Sequence, residues 1–483
     1  MPLVATCLRA VDLVGAIVLA RKLATHDSWS RTELAAHQRA AFLHIVQHAR
    51  TASAFYRERY QGIETSADFD PARLPVTDKR QLMDNFDAVI TNPRLHRGDV
   101  ERQLARASGD EFLFGQYRVV ATAGTSGLRG IFIYDRSAWR TVLANTFRWQ
   151  RLVGIAPRLP QRTRICSIGA DNPMHLTSRI PMSVDVGLFR LLHIEATDPI
   201  AQQVATLNRF QPDALVPYPS VAALLAREQI AGRLSIRPAV VATHSEVLTP
   251  EMARLIEQAW GTKPFNHYGM TEEAHVATDC EWHAGLHLFE DTVMVEVVDD
   301  DYRPVQDGTM GTRWLLTSFY NRTQPLIRYD VTDMLCRSPE PCPCGRPFGL
   351  VEAIGGRAED MLLLPRNDGR GEVAVTPMVV TLAIERFLGI TEYAAEHDAK
   401  GIHLRLVVPD PNDRVRIEAE LPQVLRTEFE RQRASPPPIV LTFVDALQRA
   451  AQRMGKINVV SRRRTLPVAA RIDDGSKSEG AAS

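Results

Sequence analysis

A chain of 483 residues exceeds what one hydrophobic core supports, so it divides into at least two domains. Its hydrophobic fraction of 45% and charged fraction of 24% are those of a soluble globular protein. With 57 basic against 57 acidic residues the formal charge is zero, which removes any global electrostatic case for nucleic acid or an anionic membrane as partner.

At the start, Leu3 to Ala20 is the one membrane-like stretch, but Arg9 and Asp12 leave its apolar run too short to span a bilayer. Its charge sits in the wrong place for a signal peptide and no clean A-x-A site follows, so it reads as an amphipathic helix. From Arg31 to Tyr60, Leu34, Ala41, Phe42, Ile45, Val46 and Ala49 recur at helical spacing and predict one long amphipathic helix. Leu74-Pro75-Val76-Thr77-Asp78-Lys79 reads as a helix start with Thr77 or Asp78 as the cap. A small-residue loop follows between two β-rich runs, Val119–Thr122 and Ile131–Tyr134. Gly124, Gly127 and Gly130 free its backbone for positive φ, while Thr122, Thr125 and Ser126 add hydroxyls, so it can offer amides and hydroxyls to an anion. It lacks the Gly-Lys-Ser/Thr ending of a Walker A loop, and a strand-like run follows where a dinucleotide fingerprint needs a helix. Alone it reads equally as a glycine-rich hairpin turn.

Beyond the loop, Arg136–Leu152 is helical by pattern. Segments then alternate: strand 164–168, helix 200–209, strand 214–217, helix 220–229, strand 239–243, helix 250–260. Such alternation predicts a largely parallel α/β sheet. Past Tyr268 the pattern changes to antiparallel strands at 292–298 and 312–317. A smaller unit begins near Gly356, with strands at 361–364, 402–408 and 439–444 and a helix over 414–432. The fold class is therefore α/β: a large N-terminal domain with mixed and parallel sheets plus an antiparallel β subdomain, and a small mobile α+β C-terminal domain. The expected boundaries are 1–356 and 357–470, with a Gly/Ser/Asp-rich disordered tail over 471–483.

Four more constellations carry chemistry. Tyr268-Gly269-Met270-Thr271-Glu272 offers a flat ring for a base, a hydroxyl for a phosphate and hard oxygen for Mg²⁺. Ile327-Arg328-Tyr329-Asp330 to Asp333 offers carboxylates that can accept from both hydroxyls of a ribose. Gly355-Gly356-Arg357-Ala358-Glu359-Asp360 sits at a composition break and reads as a hinge. Gly455-Lys456 is a lone cation near the end. Taken singly, the first also reads as a polar turn and the second as a surface ion pair at a strand end, while Gly455-Lys456 alone carries no signal.

In this order the five resemble the adenylate-forming enzymes: acyl-CoA synthetases, luciferases and peptide-synthetase adenylation domains. The chain looks most like the phenylacetate–CoA ligase branch. The match runs through Thr122–Gly127, Tyr268–Glu272, Ile327–Asp333, Gly356–Asp360 and Gly455-Lys456, with Ala54-Phe55-Tyr56, 74–79 and 212–220 in support, and covers roughly residues 30–460. The resemblance implies ATP-dependent activation of a carboxylic acid, aryl or related, to an acyl-adenylate, then transfer to CoA. The glycine loop (Thr122, Gly124, Thr125, Ser126, Gly127) would hold phosphates, and Glu272 the Mg²⁺. Tyr268, Gly269 and Thr271 would flank the nucleotide, Asp333 would take its ribose, and Arg357 is a further nucleotide ligand. Lys456 would counter charge at the α-phosphate. Tyr218, His244, Ser245, Glu246 and Met270 would line the acid pocket. The rivals are an amide- or ester-forming synthetase using an amine or alcohol, and a non-catalytic nucleotide-binding homologue. Partners are thus a small carboxylic acid, ATP, and CoA or an amine; a homodimer stays open, and nucleic acid and membrane are not expected.

Two departures stand out. The branch often reads Thr-Gly-Gly-Glu where this chain has Thr243-His244-Ser245-Glu246, so the acid pocket should differ. A polar run, Arg366–Arg370, stands where related ligases continue directly after the hinge, which bears on the CoA half-reaction. Six cysteines in so long a chain are no disulfide framework and point to a reducing cytoplasm. Four of them lie between Cys280 and Cys344. Cys280, His287, Cys342 and Cys344 can close a tetrahedral Cys₃His zinc site, with His283 as an alternative nitrogen ligand. Spacing alone leaves metal-free reduced cysteines equally open. Some members of the branch carry a similar Cys…Gly-Leu-His…Cys-x-Cys-Gly-Arg pattern, which implies structural zinc.

Overall fold

The computed structural model describes residues 2–445, apart from residues 67, 107–109, 123–129, 159, 170–174, 185–186, 197, 358–361, 376–378, 381–382, 385, 388, 391, 399, together with residues 447 and 460–462. The expected tail, the hinge after Arg357 and Lys456 lie outside the described residues, as does the glycine loop between Thr122 and Gly130.

Helix α1 (Pro2–Ala24) buries Leu13, Ala16, Leu23 and Asp12, while Val11, Val14 and Val18 face outward. No described helix is long and apolar enough to cross a membrane. Helix α2 (Arg31–Ala52) starts in a capping box in which Ser30 and Glu33 satisfy each other's backbone amides. Its buried stripe is Leu34, Phe42, Ile45, Val46 and Ala49. The single helix expected over 31–60 is in fact two, since α3 (Ala54–Arg59) follows a break at Ser53. Ser53 is extended (φ −106°, ψ 127°), and its hydroxyl accepts from the Tyr56 amide, so a capping residue ends one helix by starting the next. Helix α4 (Lys79–Asp84) is capped by Asp78 in a second capping box with Gln81. The short α5 (Phe86–Val89) and α6 (Arg97–Arg106) follow.

Strands β1 (Arg118–Ala121) and β2 (Ile131–Tyr134) pair antiparallel on either side of the glycine loop, and α7 (Arg136–Leu152) begins at once, capped by Asp135. The chain then alternates: β3 (Arg164–Gly169), α8 (Leu176–Val184), β4 (Arg190–Glu195), α9 (Ile200–Phe210), β5 (Ala214–Pro217), α10 (Pro219–Ile230), β6 (Val240–His244), α11 (Pro250–Trp260) and β7 (Phe265–Tyr268). These five strands pair parallel in the order β4-β3-β5-β6-β7. Their side chains alternate between two cores. Leu215 and Val241 pack with Leu225 and Ile256 on one face, while Ala214, Val216, Val240 and Ala242 pack with Val153 and Ile155 on the other.

The sheet continues antiparallel. Strands β8 (Ala277–Thr278) and β9 (Leu286–Leu288) extend it; β10 (Val293–Val298) starts a separate three-stranded sheet with β12 (Arg313–Ser318) and β13 (Tyr329–Val331). Strands β11 (Met310–Gly311), β14 (Asp333–Arg337) and β15 (Leu350–Arg357) complete ten strands in the order β11-β14-β15-β9-β8-β7-β6-β5-β3-β4. Beyond it, hairpin β16 (Leu362–Pro365) and β17 (Glu372–Val375) shares a core with β18 (Glu392–Asp398), β19 (Gly401–Val407) and α12 (Pro411–Arg431). Strands β20 (Ile439–Phe443) and β21 (Val460–Arg462) flank β19 and β18 in a four-stranded sheet.

Candidate functional site

Ligands of an open α/β sheet sit outside the carboxyl ends of its parallel strands. Three of the expected site segments meet there: Tyr218 follows β5, His244 ends β6, and Tyr268 ends β7. The register pairs His244 with His267, which sets residues 244–246 beside 268–270.

At this edge Tyr268 Oη donates to Asp333 Oδ2 at 2.6 Å, joining two residues far apart in sequence. Asp333 begins β14 and its strand partner is Arg357 on β15, so a side-chain bond and a strand pairing link the three expected nucleotide residues. The turn after Tyr268 is fixed on several sides. A Cβ at Gly269 would sit 2.1 Å from the Ala274 carbonyl oxygen, so only glycine fits. Met270 N donates to Glu273 O at 2.9 Å. Tyr134 Oη donates to the carbonyls of Thr271 (2.9 Å) and Glu272 (2.8 Å). The Glu272 carboxylate accepts from Tyr329 Oη at 3.0 Å. Its neighbour Glu273 is fully buried, takes Ser318 Oγ at 2.8 Å and Tyr320 Oη, and burial pushes its carboxyl up to about 8. His267 donates Nε2–H to Ala274 O at 3.2 Å, and burial lowers it to about 4, so it is neutral at pH 7.

The mouth of the glycine loop is closed by Thr122 and Gly130. Thr122 N donates to Gly130 O at 2.9 Å, and Gly130 N to Thr122 Oγ1 at 2.8 Å. Lys79 Nζ donates to the same hydroxyl at 3.1 Å. Sequence reasoning marked 74–79 for its cap and missed this cation at the loop; the Lys following the cap was the available signal. It also missed the roles of Tyr134, Tyr329 and Glu273, for which tyrosines and an acid inside buried runs gave no pattern. Arg328 of the Ile327–Asp333 run is buried, ion-paired with the Glu296 carboxylate at 3.2 Å and donating to Ala72 O at 3.0 Å.

On the acid side, Tyr218 is buried and its ring meets His244 edge-on at 5.4 Å. Glu246 Oε2 accepts the Ser220 amide in the first turn of α10 at 3.1 Å. Ser245 holds φ +68°, a left-handed backbone that costs a serine about 1 kcal/mol relative to glycine. Its hydroxyl lies 2.9 Å from His244 Nδ1. Met270 is half-buried beside them.

The metal expectation converges on one point. The ligand atoms of Cys280, His287, Cys342 and Cys344 all lie within 4.8 Å of one another. Cys280 Sγ and Cys342 Sγ are 3.7 Å apart, close to the roughly 3.8 Å edge of a tetrahedron with zinc–sulfur bonds of about 2.3 Å. Cys344 Sγ stands 3.3 Å from His287 Nε2. His283 turns away and pairs with Asp279 at 2.8 Å, so the alternative ligand is the one set aside. The donor set fits a closed, four-coordinate ion.

No protein-family model matches the chain. Phenylacetate-coenzyme A ligase of Thermus thermophilus is 31% identical over 172 residues, 34% of this chain and 38% of that protein. Protein CapK of Staphylococcus aureus is 26% identical over 232 residues, 47% of this chain and 49% of that protein. The matched stretches thus span less than half the length of either curated relative. Among solved structures, 2-hydroxyisobutyryl-CoA ligase in its postadenylation state with R3-HIB-AMP superposes at a TM-score of 0.69 and 19% identity, covering 91% of each chain. The fold is therefore that of the adenylate-forming CoA ligases. Over the 172 matched residues the chain is similar to a phenylacetate-coenzyme A ligase, the branch that its motifs resemble.

Proposed function

We propose that the protein activates a carboxylic acid with ATP and passes the acyl group to CoA. The observation that carries this reading is the Tyr268–Asp333 hydrogen bond at the carboxyl edge of the parallel strands, beside the clamped Thr271–Glu272 turn. A carboxylate oxygen attacks the α-phosphorus, the bond to the bridging oxygen breaks, and pyrophosphate leaves with the electron pair. The thiol sulfur of CoA then attacks the acyl carbonyl, its proton passes to solvent, and AMP departs.

Asp333 orients the ribose and Tyr268 the adenine, with Arg357 next to them. Thr122, Gly124, Thr125, Ser126 and Gly127, joined by Lys79, hold the β- and γ-phosphates. Glu272 would hold Mg²⁺, which supplies charge neutralisation of the phosphate oxygens when bound. Lys456 offsets the negative charge that develops at the α-phosphorus. Tyr218, His244, Ser245, Glu246 and Met270 receive the acid. The unit from residue 357 onward rotates about Asp360 between the two steps. Structural zinc fills the Cys₃His cluster, and the cytoplasm supplies the reducing setting that its thiolates need. An amine acceptor is the second reading. It is favoured by Arg366, whose guanidinium pairs with Asp368 within its own turn at 3.2 Å, a contact that a CoA phosphate would have to displace.

The test is acid-dependent ATP–pyrophosphate exchange across aryl, fatty and amino acids, followed by product mass with CoA or amines. Lys456→Ala should lower exchange by two to three decades, about 3–4 kcal/mol, with ATP binding nearly unchanged. Exchange by that variant within a few-fold of wild type would remove Lys456 from the chemistry, and no exchange from the wild type with any acid would remove the ligase reading.

A further inference from the structure

Ser245 is one of seven non-glycine residues at positive φ among the described residues, and the one that stands in the expected acid site. Nothing in the strand demands a serine there. A glycine would adopt φ +68° without strain, so the backbone pays for a side chain that packing does not require. Strained residues of this kind persist where the side chain has a task.

That task is visible in the neighbours. Ser245 Oγ is bonded to His244 Nδ1 at 2.9 Å, and the His244 ring is braced edge-on by buried Tyr218. A hydroxyl has one hydrogen and two lone pairs, and this bond uses one of the three, so Ser245 retains capacity for a third group in either tautomer of His244. Glu246, next in sequence, is held against the first turn of α10, and residues 244–248 are all only partly buried. Ser245, only partly buried, thus stands beside the edge where Tyr268–Met270 lie, and a hydrocarbon acid would leave its hydroxyl without the further partner it can take.

We propose that Ser245, with the histidine it fixes, is the specificity determinant of the acid site, and that it selects acids bearing a hydroxyl or amino group over their hydrocarbon counterparts. This rests on the acid-activation reading above. The experiment compares matched acids in pyrophosphate exchange: benzoate against its hydroxy and amino derivatives, and butyrate against hydroxybutyrates. The wild type should favour the polar member of a pair at least ten-fold in kcat/KM. Ser245→Gly should reduce that preference to within about three-fold, leave the KM for ATP unchanged, and melt no lower than wild type, since the backbone strain is released. Ser245→Ala, which keeps the strained Cβ, should lose the preference without the gain in Tm. Silence of the wild type with every acid overturns the ligase reading and this proposal together. Exchange that treats each pair alike, or a preference that survives Ser245→Gly, overturns the role of Ser245 alone.

Discussion

The ten-stranded sheet has two halves built on different physics. From β4 to β7 the strands are parallel, and each crossover helix lays apolar side chains on a face of the sheet. Leu215, Val241 and Ile256 are wholly buried there, and the register follows from two interlocking hydrophobic cores. From β8 to β11 the strands are antiparallel and no crossover helix separates them; Leu286, Leu288, Leu335 and Val351 enter the main hydrophobic core, and polar contacts to the helices are added to it. Arg148 reaches from α7 to Asp291 at 3.0 Å, and His26 reaches the same carboxylate at 2.8 Å. Glu290 gathers Arg31 at 2.9 Å and Arg337 at 3.3 Å. Beside them lies the Cys₃His cluster, with Arg346 linking its loop to Asp27 at 3.6 Å. In the parallel half the crossover helices supply apolar cover; in the antiparallel half helices α2 and α7 add directional contacts to the apolar core. The candidate chemistry sits at the seam between the two.

The contrast can be broken most sharply at the metal. Cys342→Ser should lower stability by on the order of 5 kcal/mol when zinc is present, because a closed site contributes its binding energy to folding. Elemental analysis should find one zinc per chain in the wild type, and a chelator should abolish the difference between the two proteins. A metal-free wild type with the same Tm would take the metal out of the antiparallel half. Next in size, Arg148→Met leaves Asp291 buried with one partner fewer and should cost about 4 kcal/mol in urea unfolding. A loss below about 1 kcal/mol would mean that area burial governs this half as well. In the parallel half, Leu215→Ala should cost about 3 kcal/mol through the cavity it leaves, with zinc content unchanged. Loss of metal from that variant would show that the halves are not independent. Smallest is Tyr268→Phe at the seam. It should raise the KM for ATP roughly five-fold, about 1 kcal/mol, by releasing Asp333, and shift Tm little. An unaltered KM for ATP would make that hydrogen bond merely structural.

Much of the parallel half was legible from sequence because its signal is local, although α8, β4 and β7 went unread. Helices 136–152 and 250–260 and strand 214–217 were read with the bounds the structure has, since their periodicity and caps lie within one stretch. The break at Ser53 was missed because a capping serine on an otherwise continuous apolar stripe changes only the backbone. The antiparallel half was legible mainly through its cysteines and histidine, whose spacing survives any intervening loops. Its ion pairs were not, because Arg148 and Asp291 are joined only by the fold. The same holds at the site. Tyr268, Asp333 and Arg357 could be named from motifs, but Lys79, Tyr134 and Tyr329 enter through contacts across remote segments. Arg328 is the converse case, a motif residue that the core uses for its own ion pair.

Tyr134 has a consequence for timing. It closes β2, the strand leaving the glycine loop, and its single hydroxyl proton is shared by the carbonyls of Thr271 and Glu272. The two segments that would grip the triphosphate and its metal are therefore thermodynamically linked. On the proposed reading, magnesium and nucleotide should bind with positive, reciprocal cooperativity, each lowering the dissociation constant of the other by the same factor.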